Sequence, residues 1–269
     1  MLYRHAWHGR SGCAFASFAS LAFLALLAAG WLAASCARPP KSASLVPTYT
    51  DAPRHLHLIA VRFAPILQLN PSEPCSLLTV VAVLHPTKPL IAYHVFFDDD
   101  VMLSGRGKLA DHEIVWVEYD PVSMKIADVQ TLWHRTILRT DACLLDAKRG
   151  DQRPKIDVQW GQHGMLPLGW QSLEQVRPKL EMPAHFELVR FINRVPKLSP
   201  RRPAVTFGGS YAQYATFDRV VDSALYIHEG DEIVAEDPLP FLRSRLATTF
   251  TPKKDWPEQM PPGLTGLSW

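Results

Sequence analysis

Three stretches of this 269-residue chain carry side chains that could hold a cation. Asp111-His112-Glu113 stands just ahead of an apolar run, Ile114 to Tyr119. Asp98-Asp99-Asp100 closes another run, and Trp160-Gly161-Gln162-His163-Gly164 closes a third. Carboxylates suit Mg²⁺ and Ca²⁺, whereas imidazole with carboxylate suits Zn²⁺ and Mn²⁺. The candidate ligands are therefore His112, His163, Asp98, Asp100, Asp111 and Glu113, for a Zn²⁺, Mn²⁺, Mg²⁺ or Ca²⁺ ion. Each stretch also has a plain reading: a solvated turn before a strand, an exposed acidic loop, a structural histidine.

Strand alternation limits what these residues can share. It puts His112, Ile114, Trp116 and Glu118 on one face, and Asp111, Glu113, Val115, Val117 and Tyr119 on the other. Asp111, His112 and Glu113 can meet at one ion only from a loop ahead of the strand. Other chemistries lack their motifs: there is no Gly-x-Ser-x-Gly, phosphate-cradling loop, Cys-x-x-Cys or His-Glu-x-x-His. Phe207-Gly208-Gly209-Ser210 reads as an ordinary loop. Cys75 or Cys143 as a nucleophile would need a base that the sequence does not name.

The elements that must position these side chains read as strands. Ser76–Leu84 and Leu90–Phe97 form an expected hairpin around His85-Pro86-Thr87-Lys88-Pro89. His112–Tyr119 and Lys125–His134 form a second, and Lys155–Trp160 a fifth strand. Tyr226–Ile227 and Ile233–Val234 suggest a late hairpin around Glu229-Gly230-Asp231. Ala184–Asn193 and Leu239–Ala247 have the spacing of short amphipathic helices bounded by prolines. The expected fold is mainly β, an antiparallel β-sandwich with a few short peripheral helices.

Residues 1–12 carry Arg4 and Arg10 and no acid, and Cys13 to Ala34 are uncharged and apolar. This reads as an export signal, with a retained transmembrane helix as the alternative. Leu32-Ala33-Ala34-Ser35-Cys36 resembles a bacterial lipobox, which would make Cys36 the lipidation site. The expected partition is signal peptide 1–35, Pro/Ser-rich tether 36–54, β-sandwich domain 55–251 and extended C-terminal tail 252–269. Beyond residue 35 there remain 26 basic and 26 acidic residues, a balance that argues against nucleic acid. Cys75 and Cys143 are an expected disulfide in an oxidising compartment, or two buried thiols.

Short motifs in order resemble the vacuolar protein sorting-associated protein sixty-two family and the related necrosis-inducing toxins. Arg62-Phe63-Ala64-Pro65-Ile66-Leu67 with Glu73-Pro74 resembles the former's opening, and Gly209-Ser210-Tyr211-Ala212 its G-S-H-A. Asp111-His112-Glu113 with Trp116 resembles D-H-E-G-D-W-E, Tyr93 to Asp100 the toxins' W-Y-F-P-K-D, and His163-Gly164 their H-G. The resemblance implies a β-sandwich holding a divalent cation at one end, with His112 and His163 as ligands and one of Asp98–Asp100 as a carboxylate. Val115 and Val117 fall where that pattern has acids, so Asp111 and Glu113 would have to supply the oxygens. The expectation is an exported, lipid-anchored bacterial envelope protein, facing the periplasm from the outer membrane, that holds such an ion. Its rivals are a metal-dependent hydrolase of envelope glycan, lipid or phosphoester, with Glu113 or Asp111 as base, and a structural module without metal. Its membrane contact would run through the lipid or the N-terminal helix; a protein or glycan partner is unnamed.

Overall fold

A computed structural model describes residues 53–101, 109–134, 136–150, 153–173, 181–192, 206–253 and 256–259. The signal, the tether up to Ala52 and the Cys36 site lie outside the described residues. Among those described, no helix is long and apolar enough to cross a membrane.

The chain is mainly β, with two mixed sheets and a few short helices, as the strand-rich sequence implies. β2 (Leu77–Leu84) and β3 (Leu90–Phe97) pair antiparallel, and β4 (Leu109–Asp120) and β5 (Lys125–Trp133) extend the meander to β6 (Thr136–Leu138). Every residue of β3 is buried, which explains why it shows no polar alternation: both of its faces are covered. The turn into β5 is set by Asp120, whose Oδ1 accepts from the Val122 and Ser123 amides at 2.8 and 3.1 Å.

A four-stranded sheet lies against the inner face, in the order β8 (Met165–Pro167), β7 (Lys155–Val158), β1 (Ile66–Leu69), β9 (Arg219–Asp222). Leu67, Leu69, Ile156 and Val158 from it share one core with Val80, Val95, Val115 and Val117. Helix α1 (Pro53–Phe63) joins through Ile59, Ala60 and Phe63, and the Tyr93 hydroxyl donates to Ala60 O at 2.8 Å. Helix α2 (Asp141–Arg149) starts at a Thr140 cap whose side chain accepts from Cys143 N. Helix α3 spans Glu181–Ile192 and α4 spans Tyr211–Tyr214. Pro183 sits inside the first turn of α3, where its missing N–H costs nothing, rather than bounding the helix.

The sheets are mixed because later segments pair in parallel with earlier strands: β10 (Glu232–Val234) runs beside β2, and β7 beside β1. The expected late hairpin is therefore not formed. Tyr226 instead closes a 3-10 turn, Ser223–Tyr226, and Ile233–Val234 pairs with Val83–Leu84. β5 covers only Val115–Asp120 of β4, and β11 (Thr249–Phe250) takes the uncovered end at Leu109–Ala110.

The outer face of the large sheet carries Val81, Val83, Phe96, Ile114 and Trp116, under Leu242 of helix α5 (Leu239–Arg245) and Trp256. The stretch read as a tail thus contributes a 3-10 turn at Pro257–Gln259 and a buried anchor, Trp256, which meets the His85 ring edge-on at 4.7 Å. Trp256→Ala is expected to cost about 3–5 kcal/mol in urea unfolding. A loss under about 1 kcal/mol would show that the segment is not part of the folded unit.

Candidate metal centre

Two turns bring the site together, one crossing from the small sheet to the large one and one within the small sheet. The first runs from Asn70 to Ser76, between β1 and β2. Asn70 is buried and organises it: Nδ2 donates to the carbonyls of Gln213, Tyr214 and Thr216 at 2.7, 3.3 and 3.0 Å. Its Oδ1 accepts from Ser72 N at 2.9 Å, and Glu73 N closes back on Asn70 O at 3.0 Å. The turn aims Glu73 inward, where Oε1 accepts from Cys75 N at 3.0 Å and Oε2 from Gly161 N at 2.8 Å.

The second turn, Gln159 to Gly164, links β7 to β8 and carries His163. His163 sits in the left-handed region at φ 53, a conformation that a non-glycine residue adopts only when its surroundings dictate it. Gly161 precedes it at φ 66, where a Cβ would lie 2.7 Å from the Val101 side chain. The His163 ring stacks on Phe97 at 3.9 Å with 7° between the planes.

The result is a buried group of three different donors. Glu73, Cys75 and His163 are 7, 3 and 0 % exposed, and their ligand atoms all lie within 4.8 Å of one another. His163 Nε2 is 3.2 Å from Glu73 Oε1, and Nδ1 is 2.8 Å from Asp111 Oδ2. Burial works against a charge on His163, but its hydrogen bonds to Asp111, Cys75 and Glu73 outweigh that and hold its pKa well above the ordinary value. Burial likewise opposes the Asp111 carboxylate, and the His163 bond and the nearby Lys253 ammonium bring its pKa below normal. Burial pushes the Cys75 thiol up, with His163 pulling the other way. These three residues could hold a metal ion.

Of the residues that the sequence singles out, the structure brings together His163 and Asp111, and separates the rest. His112 is turned to the opposite face of the large sheet. It lies 2.9 Å from His94 Nδ1, stacks on Phe96, and accepts the Lys253 amide at 3.2 Å on Nδ1. The correction has a simple cause: β4 begins at Leu109, so Asp111, His112 and Glu113 are already in strand and must alternate. Glu113 shares the inner face but is paired with Lys253, and burial raises its pKa to about 8 against that ammonium. Asp98 accepts from Ser76 N at 3.0 Å and Asp100 donates its amide to Asp99 at 3.0 Å; neither joins the group of three.

The expected disulfide is also absent: Cys75 and Cys143 are both free. Cys143 belongs to α2, where its Sγ faces Lys155 O at 3.6 Å and burial pushes its pKa up to about 12. Glu73 and Cys75 are the residues that sequence reasoning missed as ligands. The signal was present as Glu-x-Cys in a Pro-rich turn just ahead of a strand. Comparison with protein-family models, with curated proteins and with solved structures finds no match for this chain.

Proposed function

We infer that this is an exported, lipid-anchored envelope protein whose folded domain holds one zinc ion between Glu73, Cys75 and His163. The observation that carries the metal reading is the convergence of one carboxylate oxygen, one sulfur and one imidazole nitrogen within 4.8 Å in a buried site. Hard cations want several oxygens, whereas a thiolate with an imidazole is donor chemistry for zinc. Asp111 supports the same reading, because a carboxylate on the far nitrogen of a ligating histidine fixes the ring and raises its basicity. The anchor reading rests on the Cys13–Ala34 run and on Cys36. It would place the domain outside the cytoplasm, as the resemblance to the sixty-two family and the toxins does not by itself require.

Binding or scaffolding fits better than hydrolysis. A cavity of about 400 Å³ lies nearby, walled by Asn70, Ser72, Trp160, Phe207 and Gly208, but none of the three candidate ligands lines it. Hydrolysis would need an open metal position facing such a cleft. A second reading has one observation in its favour: His163 hydrogen-bonds Cys75 and Asp111, the arrangement of a Cys-His-Asp nucleophile. Burial argues against it, since the Cys75 thiol is 3 % exposed and its pKa is raised rather than lowered.

The test is elemental analysis of the full chain purified from membranes after expression with its own leader. About one zinc per chain is expected, and a Cys75→Ser variant should lack it. A parent without metal, and without a thermal shift on adding zinc, rejects the centre. Rapid alkylation of Cys75 by iodoacetamide in the native protein would favour the nucleophile instead.

A further inference from the structure

We propose that Gln159 is the positioning residue of this centre, clamping the turn that presents His163; the proposal rests on the zinc reading above. Gln159 is fully buried, and both ends of its amide are used twice. Oε1 accepts from the indole N–H of Trp133 at 2.9 Å and faces His134 Nε2 at 2.7 Å. Nε2 donates to Gln162 Oε1 at 2.9 Å and to the Tyr214 hydroxyl at 3.1 Å. Its main chain closes the turn at both ends, accepting from His163 N at 2.9 Å and donating to Gly164 O at 3.1 Å.

One side chain therefore ties together β5, helix α4 and the turn, and the residue it secures is the one held at φ 53. The packing is tight: a Cβ on Gly164 would lie 2.7 Å from the Trp133 ring and 3.0 Å from Gln159 Oε1. A left-handed histidine persists only where its surroundings over-determine it: Asp111, Glu73 and Phe97 hold the ring, and these six bonds hold the turn that carries it. The donors fix the amide's orientation as well, because the Trp133 indole can only donate and so requires oxygen on its side. Because His134 Nε2 faces that same oxygen, it carries the ring proton, leaving Nδ1 as the lone-pair side. Gln159 thereby orients the His134 ring, itself at φ 42, as well as the turn bearing His163.

Such outer supports carry metal affinity without touching the ion. Gln159→Leu keeps the volume and removes all four side-chain bonds. It is expected to weaken zinc binding about 10–100-fold in competition with a chromophoric chelator. The sulfur-to-cobalt charge-transfer band of the Co²⁺-substituted protein should also change. Trp256→Ala is the control, since it destabilises the fold from the opposite face of the large sheet and should leave affinity and spectrum unchanged. Parent-like zinc affinity in Gln159→Leu overturns the proposal. So does equal weakening in both variants, which would show only a general loss of stability. A parent that binds no zinc overturns the metal reading itself, and this inference with it.

Discussion

Replacing His163 by alanine is expected to strip the protein of zinc and to lower its melting temperature by roughly 6–20 °C. His163 is fully buried between Glu73 and Asp111, and both carboxylates lose their common partner when the imidazole goes. Breaking a buried ion pair by removing one member costs about 3–5 kcal/mol, because the remaining charge stays out of water. In a domain of this size each kcal/mol moves the melting point by about 2–4 °C. Calorimetry and metal analysis of the same sample check both halves. A variant that keeps stoichiometric zinc would show that His163 is not a ligand. Cys75→Ser separates the two effects: it removes the thiolate and with it the metal, while His163 keeps Glu73 and Asp111 as partners, so its melting shift reports the metal's share alone.

Acid should destabilise the domain early, with stability falling steadily as pH drops below 6.5. Among the described residues five histidines have pKa values depressed in the fold, with burial lowering His85 as well as the four that follow. Burial takes His94 to about 3 and His134 to about 3, takes His185 to about 4, and holds His112 well below its ordinary value. Their unfolded values lie near 6.5, so below that pH the unfolded chain binds protons that the folded one refuses. The sign is therefore a loss of stability as pH falls. His94 and His112 are 0 and 1 % exposed and together give a slope of about 2.7 kcal/mol per pH unit. The half-buried His134 and His185 add a smaller share.

Against a total of about 5–15 kcal/mol, two pH units suffice to bring unfolding within reach. His163 does not compensate. In the metal-free protein its raised pKa contributes stability that is fully present below 6.5 and is lost only as pH rises through the folded value; with zinc bound, its ligating nitrogen carries no proton. Urea titrations at pH 7, 6 and 5 test this, and a flat stability across that range would contradict the burial of the histidines. His94→Phe should reduce the slope by about 1.4 kcal/mol per pH unit.

The sequence carries the meander plainly and the site only in part. β2 and β3 are legible because both are continuous apolar runs around a Pro-rich loop, and β4 and β5 because Asp120 and its neighbours spell a turn. Alternation along Asp111–Tyr119 also assigns the faces as the structure has them. What fails is the assumption that the start of that run is a loop. Three residues of strand before His112 turn it away from His163. Glu73 and Cys75 offer only the local Glu-x-Cys spacing, and nothing in it points to His163, because the contact between their turn and His163 spans about 90 positions. The parallel pairing of β1 with β7 that brings the turns together leaves no local signature.

The cover of the outer sheet face bears on how the protein is made. Phe96, Ile114 and Trp116 are shielded by Leu242, Phe250 and Trp256, all of which leave the ribosome after the whole meander. A chain emerging amino-terminus first therefore displays an apolar sheet face for the time needed to synthesise more than a hundred further residues. Such surface aggregates or is captured by holdase chaperones. Under the export proposed above, that delay would favour threading, because the outer face of the sheet stays uncovered until the last segment arrives.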